Sequence, residues 1–212
     1  MVTLPSSARS RTRPPRVRGS LAFAAIASVA LGFSWFLPWW QFRLLAPQYP
    51  QGLELVVFLY GLGGDVQEVD TINHYIGMAR LEDAAPLERA WSGWIVAGLA
   101  LALFAAAVVR LRWLPIVVAA VLPVGFLVDT WLWLHHYGHS LDPEAPLTLK
   151  AFTPVLFGEG HIGQFGTRAS PMAGFWLALV AVIFAVFSAT RPRAPGPTAP
   201  PVRAAPPPGP AP

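Results

Sequence analysis

The sequence predicts an all-α membrane protein, with four transmembrane helices and a small extracytoplasmic cap containing a β-hairpin. Three observations lead there. Apolar residues gather into four runs, at 20–42, 90–109, 113–134 and 171–189, each near the ~20 residues that cross a bilayer's hydrocarbon as a helix. The balance of 54% hydrophobic against 12% charged residues is not that of a soluble domain. Basic residues flank these runs, where membrane topology requires them, so a pI near 10.1 reports orientation and not a nucleic-acid partner.

The first run follows Arg9, Arg11, Arg13, Arg16 and Arg18 and closes with Trp35, Trp39 and Trp40. Its length and its Phe-Leu-Pro-Trp-Trp ending fit an uncleaved signal anchor better than a cleaved leader. Arg110 and Arg112 leave only a tight turn between the second and third runs. Lys and Arg number five in the 1–19 tail, two in that turn and three in the 191–212 tail, against five in the two long loops. Both termini are therefore expected in the cytoplasm of a bacterium, with the chain a multi-pass protein of the inner membrane. Ten of the eleven acidic residues fall in the loops 43–89 and 137–170, which agrees. All but Trp113 of the tryptophans belong near the outer interface. The membrane domain is 20–190, and the ten prolines of 191–212 predict a disordered cytoplasmic tail. With no cysteine, disulfides, thiolate metal sites and cysteine nucleophiles are excluded.

In the first outer loop, Pro47, Pro50 and Gly52 start an extended segment. Residues 53–60 read as a strand, 61–64 as a turn and 65–72 as the returning strand. Glu68 and Asp70 would share a face of that strand, as a solvated charged face or as a pair for metal or acid-base work. Residues 73–80 have the composition of a short helix or tight turn. If helical, His74 and Met78 share a face, and an imidazole beside a thioether suits Cu(I); a capping or packing pair is the plainer alternative.

The third run ends Asp129-Thr130-Trp131-Leu132-Trp133-Leu134-His135-His136-Tyr137-Gly138-His139. His135 and His139 stand one helical turn apart, the spacing two imidazoles need to clasp one metal. Gly138 is expected to end the helix and loosen that clasp. His136 shares another stripe with Asp129 and Trp133. A carboxyl inside the bilayer points into the bundle or at a cation, with Arg43, Arg80 or His136 as candidates. Three readings of these histidines stand: metal binding, hydrogen bonding to headgroups and loop carbonyls, and proton handling. The glycine-rich stretch 158–167 lacks the strand, helix and lysine of a phosphate loop. It is expected to fold against the first loop and to bring His161 toward His74 and the third-run histidines. Ser170 is expected to cap the fourth helix.

The segments Ala-Pro-Gln-Tyr-Pro-Gln-Gly-Leu at 46–53, Gly-Asp-Val-Gln-Glu at 64–68, Asn-His-Tyr-Ile-Gly-Met at 73–78, Tyr-Gly-His-Ser-Leu-Asp-Pro at 137–143 and Leu-Phe-Gly at 156–158 carry a resemblance. In these the chain resembles a family of small bacterial four-span membrane proteins encoded beside genes for nitrous-oxide reductase maturation and copper handling. The resemblance covers roughly residues 20–190. It implies copper as the metal and His74, Met78 and His139 as the preferred functional residues, and it implies a setting, not a mechanism.

The sequence thus predicts a non-enzymatic accessory protein. Its outer cap would bind or pass a metal ion, copper first, for maturation of a periplasmic enzyme. The expected ligands are His74, Met78, His135, His139 and His161, with Asp129 and His136 beside them to tune the imidazoles. The alternative is a docking or assembly subunit of a membrane complex, anchored through Tyr49, Phe58, Tyr60 and Tyr75. Haem or quinone binding is disfavoured because no second run carries a buried histidine, and a channel because the first, second and fourth runs hold no ionisable residue to line a path.

Overall fold

The computed structural model describes residues 16–46, 48–147, 149–163 and 165–190. The first part of the basic tail (1–15), Pro47 of the expected extended segment, and the proline-rich tail 191–212 lie outside the described residues, as do residues 148 and 164. Four helices are long and apolar enough to cross a membrane: α1 (Arg16–Phe33), α3 (Pro86–Val108), α4 (Leu114–His139) and α5 (Ala173–Thr190). At ~1.5 Å per residue the 23 residues of α3 span about 35 Å, enough for ~30 Å of hydrocarbon. A shorter helix, α2 (Val66–Ile76), and five strands, β1 (Trp40–Ala46), β2 (Tyr49–Phe58), β3 (Gly61–Gly64), β4 (Gly158–Ile162) and β5 (Phe165–Pro171), complete the molecule.

Around the bundle, α1 packs on α5 and α3, and α4 packs on α3 and α5. Small residues make this closeness possible. Ala24 and Ala27 of α1 and Ala178, Ala181 and Ala185 of α5 are fully buried. The Ser20 hydroxyl donates to the Ser188 carbonyl at 2.8 Å, and Ser188 donates back to the Ser20 carbonyl at 2.9 Å. Exposed Leu, Ile, Val, Phe and Trp side chains cover the outside of all four helices, as a lipid-facing surface requires.

The first apolar run is not helical to residue 42. Helix gives way to a 3-10 turn at Ser34–Phe36 and to extended backbone at Leu37, because a residue before proline is pushed out of the helical region. Trp39 and Trp40 then turn inward instead of joining an interfacial belt. Both are fully buried, with Trp39 Nε1 donating to the Ser34 carbonyl at 2.9 Å and Trp40 Nε1 to the Leu156 carbonyl at 3.0 Å. Their rings lie 5.0 and 5.8 Å from Phe126 of α4 and 6.0 and 5.2 Å from Phe175 of α5. This aromatic knot joins the sheet to the bundle.

The expected single hairpin is replaced by a five-stranded antiparallel sheet of order β3-β2-β1-β5-β4. Residues 61–64, Gly-Leu-Gly-Gly, are not the turn but the returning strand, paired to 55–58. The segment expected to return as a strand is instead α2. Val69, Ile72 and Ile76 are buried on one side of it, a helical spacing and not a pleat. The two long loops do fold together: Trp40 to Leu45 of β1 pair with Pro171 to Gly166 of β5. Ser170 belongs to this strand, so it does not cap α5. One face of the sheet carries a row of charge, Glu54, Arg43, Arg168 and Glu159, on four successive strands, with ion pairs Arg43–Glu54 at 3.8 Å and Arg168–Glu159 at 3.2 Å. The other face, with Phe42, Leu44, Leu53 and Leu55, is apolar.

Candidate functional site

The last turns of α4 hold the clearest gathering of polar aromatic chemistry. The helix does not stop at Gly138 but runs on to His139, and Ser140 leaves it at φ −107°. Gly138 has a different task. The Phe152 N–H donates to the Gly138 carbonyl at 3.0 Å, and a Cβ at position 138 would collide with the Phe152 carbonyl. Only a glycine lets the 150s segment cross the helix there.

Continued helix brings His135 and His139 together, with ring centroids 3.9 Å apart and planes 32° apart. Trp131 stacks on His135 with ring centroids 5.3 Å apart. Each Nδ1 is engaged: His139 Nδ1 lies 2.9 Å from the His135 carbonyl, and His135 Nδ1 lies 3.1 Å from Thr153 Oγ1. A carbonyl only accepts, so His139 Nδ1 carries the proton and its Nε2 keeps a free lone pair. Where Thr153 accepts from His135, that imidazole presents a free Nε2 as well.

The other expected ligands do not join this pair. His74 is exposed on α2 with its ring 6.2 Å from Tyr75. Met78 lies past the end of that helix, because Gly77 takes the left-handed conformation at φ 78°, a backbone that favours glycine. The shared helical face of His74 and Met78 is thereby lost, and Met78 packs with Ile72 and Ile76. His161 is exposed on β4, opposite Gly166. His136 points elsewhere, edge-on to Trp133 and Tyr137, with Nδ1 3.4 Å from the Ser140 hydroxyl. Among the described residues no group of three His, Asp or Glu side chains is placed to hold a metal ion. Two imidazoles fit an open, exchangeable site and not a closed four-ligand one.

Neither arginine proposed for Asp129 reaches it: Arg43 pairs with Glu54, and Arg80 with Glu82 at 2.7 Å. Asp129 instead lines a cavity of about 420 Å³ between the apolar face of the sheet, α2, α3 and α4. No family model, curated protein or solved structure matches the chain. The site therefore rests on its own geometry.

Residues 80–82 form a strap whose Leu81 lines this cavity, and three elements hold it. Asp70 of α2, 8% exposed, accepts the Leu81 and Glu82 N–H groups at 2.7 and 3.3 Å. Arg89 of α3 donates to the Leu81 and Glu82 carbonyls, both at 2.8 Å. Tyr137 of α4 donates to the Arg80 carbonyl at 3.0 Å. Reading residues 65–72 as a strand hid this role of Asp70, which follows once Val69, Ile72 and Ile76 are taken as one helical face. For Tyr137 the sequence offers no local signal, since it bonds backbone 57 residues away, whereas Arg89 bonds carbonyls seven and eight residues before it.

Proposed function

We propose that this chain is a non-catalytic accessory protein of the bacterial inner membrane. In this reading both termini lie in the cytoplasm, and the sheet, with the end of α4, faces the periplasm. The cap offers a partner enzyme an imidazole pair, His135 and His139, that takes up and hands on a soft or borderline metal ion, copper first. The single observation that supports this is the closeness of the two rings, 3.9 Å between centroids, with each Nδ1 within hydrogen-bonding distance of a protein oxygen, which leaves Nε2 as the nitrogen for a metal. Two neutral ligands without a thiolate hold such an ion weakly enough to release it. The resemblance to proteins encoded near copper-handling genes points the same way. When bound, the metal would be the cargo, and this chain's part is to bind, orient and release it.

The test is copper analysis of the detergent-purified full chain after loading and desalting. His135→Ala and His139→Ala should each remove the bound copper, while His74→Ala and His161→Ala should not. Copper near zero in the wild type, or indifference to the first two substitutions, would overturn the reading.

A docking subunit is the second reading. Its support is an aromatic cluster in which Tyr60, 44% exposed, lies 5.2 Å from Phe58 and 4.9 Å from Trp35, good anchoring chemistry for a protein partner. A partner that co-purifies without metal and is lost on Tyr60→Ala would favour it over metal transfer.

A further inference from the structure

We propose that the cavity between the sheet and helices α3 and α4 is a binding slot for one neutral amphiphile from the bilayer, with a long hydrocarbon tail and a hydroxyl-bearing head. The inference is independent of the metal reading, since neither His135 nor His139 lines the cavity.

Size comes first. About 420 Å³ falls among the roughly 300–1,000 Å³ of small-molecule sites, and apolar space on this scale is far larger than a packing defect. Shape comes next. Along α4 the lining runs from Val121 to Tyr137, about 24 Å of axis at ~1.5 Å per residue, so the space is a slot that suits a chain. Its chemistry is graded. The deep end is lined by Leu99 of α3 and by Val121, Leu122 and Phe126 of α4. The polar residues that the two helices contribute, Glu88, Arg89 and Ser92 of α3 and Asp129, Thr130 and Tyr137 of α4, lie in the halves of those helices that lead to the strap and the sheet. Such a gradient matches a tail below and a head above.

The bilayer is the source, because the deep walls belong to spanning helices. Ile95 and Val121 line the slot and are also 48% and 49% exposed on the apolar surface, which gives a chain an entry from lipid. The charges select the head. Arg89 has given donors to the Leu81 and Glu82 carbonyls, and Arg43 is paired with Glu54. Asp129 has no hydrogen-bond or ion-pair partner among the described residues, and Glu88 stands on the facing helix. Two cations, Arg43 and Arg89, and two carboxylates, Glu88 and Asp129, line the slot together, so its walls are balanced in charge and suit a neutral head whose hydroxyl donates to Asp129.

Gly125 lines the slot, and a Cβ added there meets nothing within 4 Å. Gly125→Leu and Gly125→Phe therefore fill the slot without displacing the protein, and both favour helix over glycine. The experiment is equilibrium binding of radiolabelled hexadecan-1-ol to the full chain in nanodiscs, with hexadecanoate, hexadecylamine and octan-1-ol as competitors. Expected is saturable binding of the alcohol, with hexadecanoate and octan-1-ol at least tenfold weaker. Both Gly125 variants should lose affinity at least tenfold with unchanged circular dichroism, and Asp129→Asn should erase the preference for alcohol over acid. Unaltered binding in both Gly125 variants would place the ligand elsewhere and overturn the proposal. Tighter binding of hexadecylamine, or equal binding of all four compounds, would overturn the assigned head.

Discussion

Gly138→Ala sets two local effects against each other, and the structure decides between them. Helix propensity alone says that alanine stabilises an interior helical position by about 1 kcal/mol over glycine. The approach of Phe152 says the reverse. A methyl at 138 occupies the place of the Phe152 carbonyl, so the 150s segment must lift. That movement breaks the bond from Phe152 N–H to the Gly138 carbonyl, 3.0 Å long, a loss of about 1 kcal/mol. It also withdraws the half-buried Phe152 ring from the cluster of Ile72, Ile76 and Phe165, about 1 kcal/mol more for a partly buried aromatic. Thr153 leaves His135 as well, an exposed bond worth about 0.5 kcal/mol. The losses exceed the gain, so Gly138→Ala should destabilise the protein by about 1–2 kcal/mol. Denaturant unfolding in detergent micelles reads the sign, and hydrogen exchange at the Phe152 amide should speed up at the same time. A variant more stable than the wild type, with that amide still protected, would refute the close-approach argument.

Further outcomes follow from other contacts. Asp70→Ala leaves the Leu81 and Glu82 N–H groups without their carboxylate; about 3 kcal/mol of destabilisation is expected, with amide exchange raised in the strap but not in β1. Trp39→Ala empties a fully buried site and removes a 2.9 Å bond to the Ser34 carbonyl; about 3–5 kcal/mol should be lost in the same unfolding assay. Arg168→Ala breaks an exposed ion pair with Glu159 and should change stability by less than about 1 kcal/mol, so a large loss would show that the charged row is not a solvated face.

The spans were legible because lipid enforces a simple code: a long apolar run has few alternatives to a helix. Their ends were less so. Pro38 marked where helical backbone gives out, just past the 3-10 turn at Ser34–Phe36, but the two tryptophans beyond it read as an interfacial belt when they are the knot that joins sheet and bundle. Between the spans the code is weaker. Residues 65–72 mix charges with apolar residues, and the three-residue step from Val69 to Ile72 was the available sign of helix. Gly61, Gly63 and Gly64 suggested a turn, yet residues 61–64 pair as a strand because β2 supplies the complementary register. Of the expected ligands, only His135 and His139 came together, since one helix fixes both. His74, Met78 and His161 depended on how separate loops fold, which spacing in the chain does not encode. The slot was invisible for the same reason, its walls coming from elements that are distant in sequence.

The pairing of β1 with β5 is what joins two long connections into one sheet, and the chain's lack of cysteine makes it directly measurable. Gln41 lies opposite Ser170 in the register, where antiparallel Cα separations of about 4.5–5.5 Å fall inside the disulfide range. The double variant Gln41→Cys, Ser170→Cys should form an intramolecular disulfide in isolated membranes treated with a membrane-permeant oxidant, whichever side the sheet faces. Gln41→Cys with Glu144→Cys should stay reduced. A reduced first pair, or equal oxidation of the two, would contradict the shared sheet.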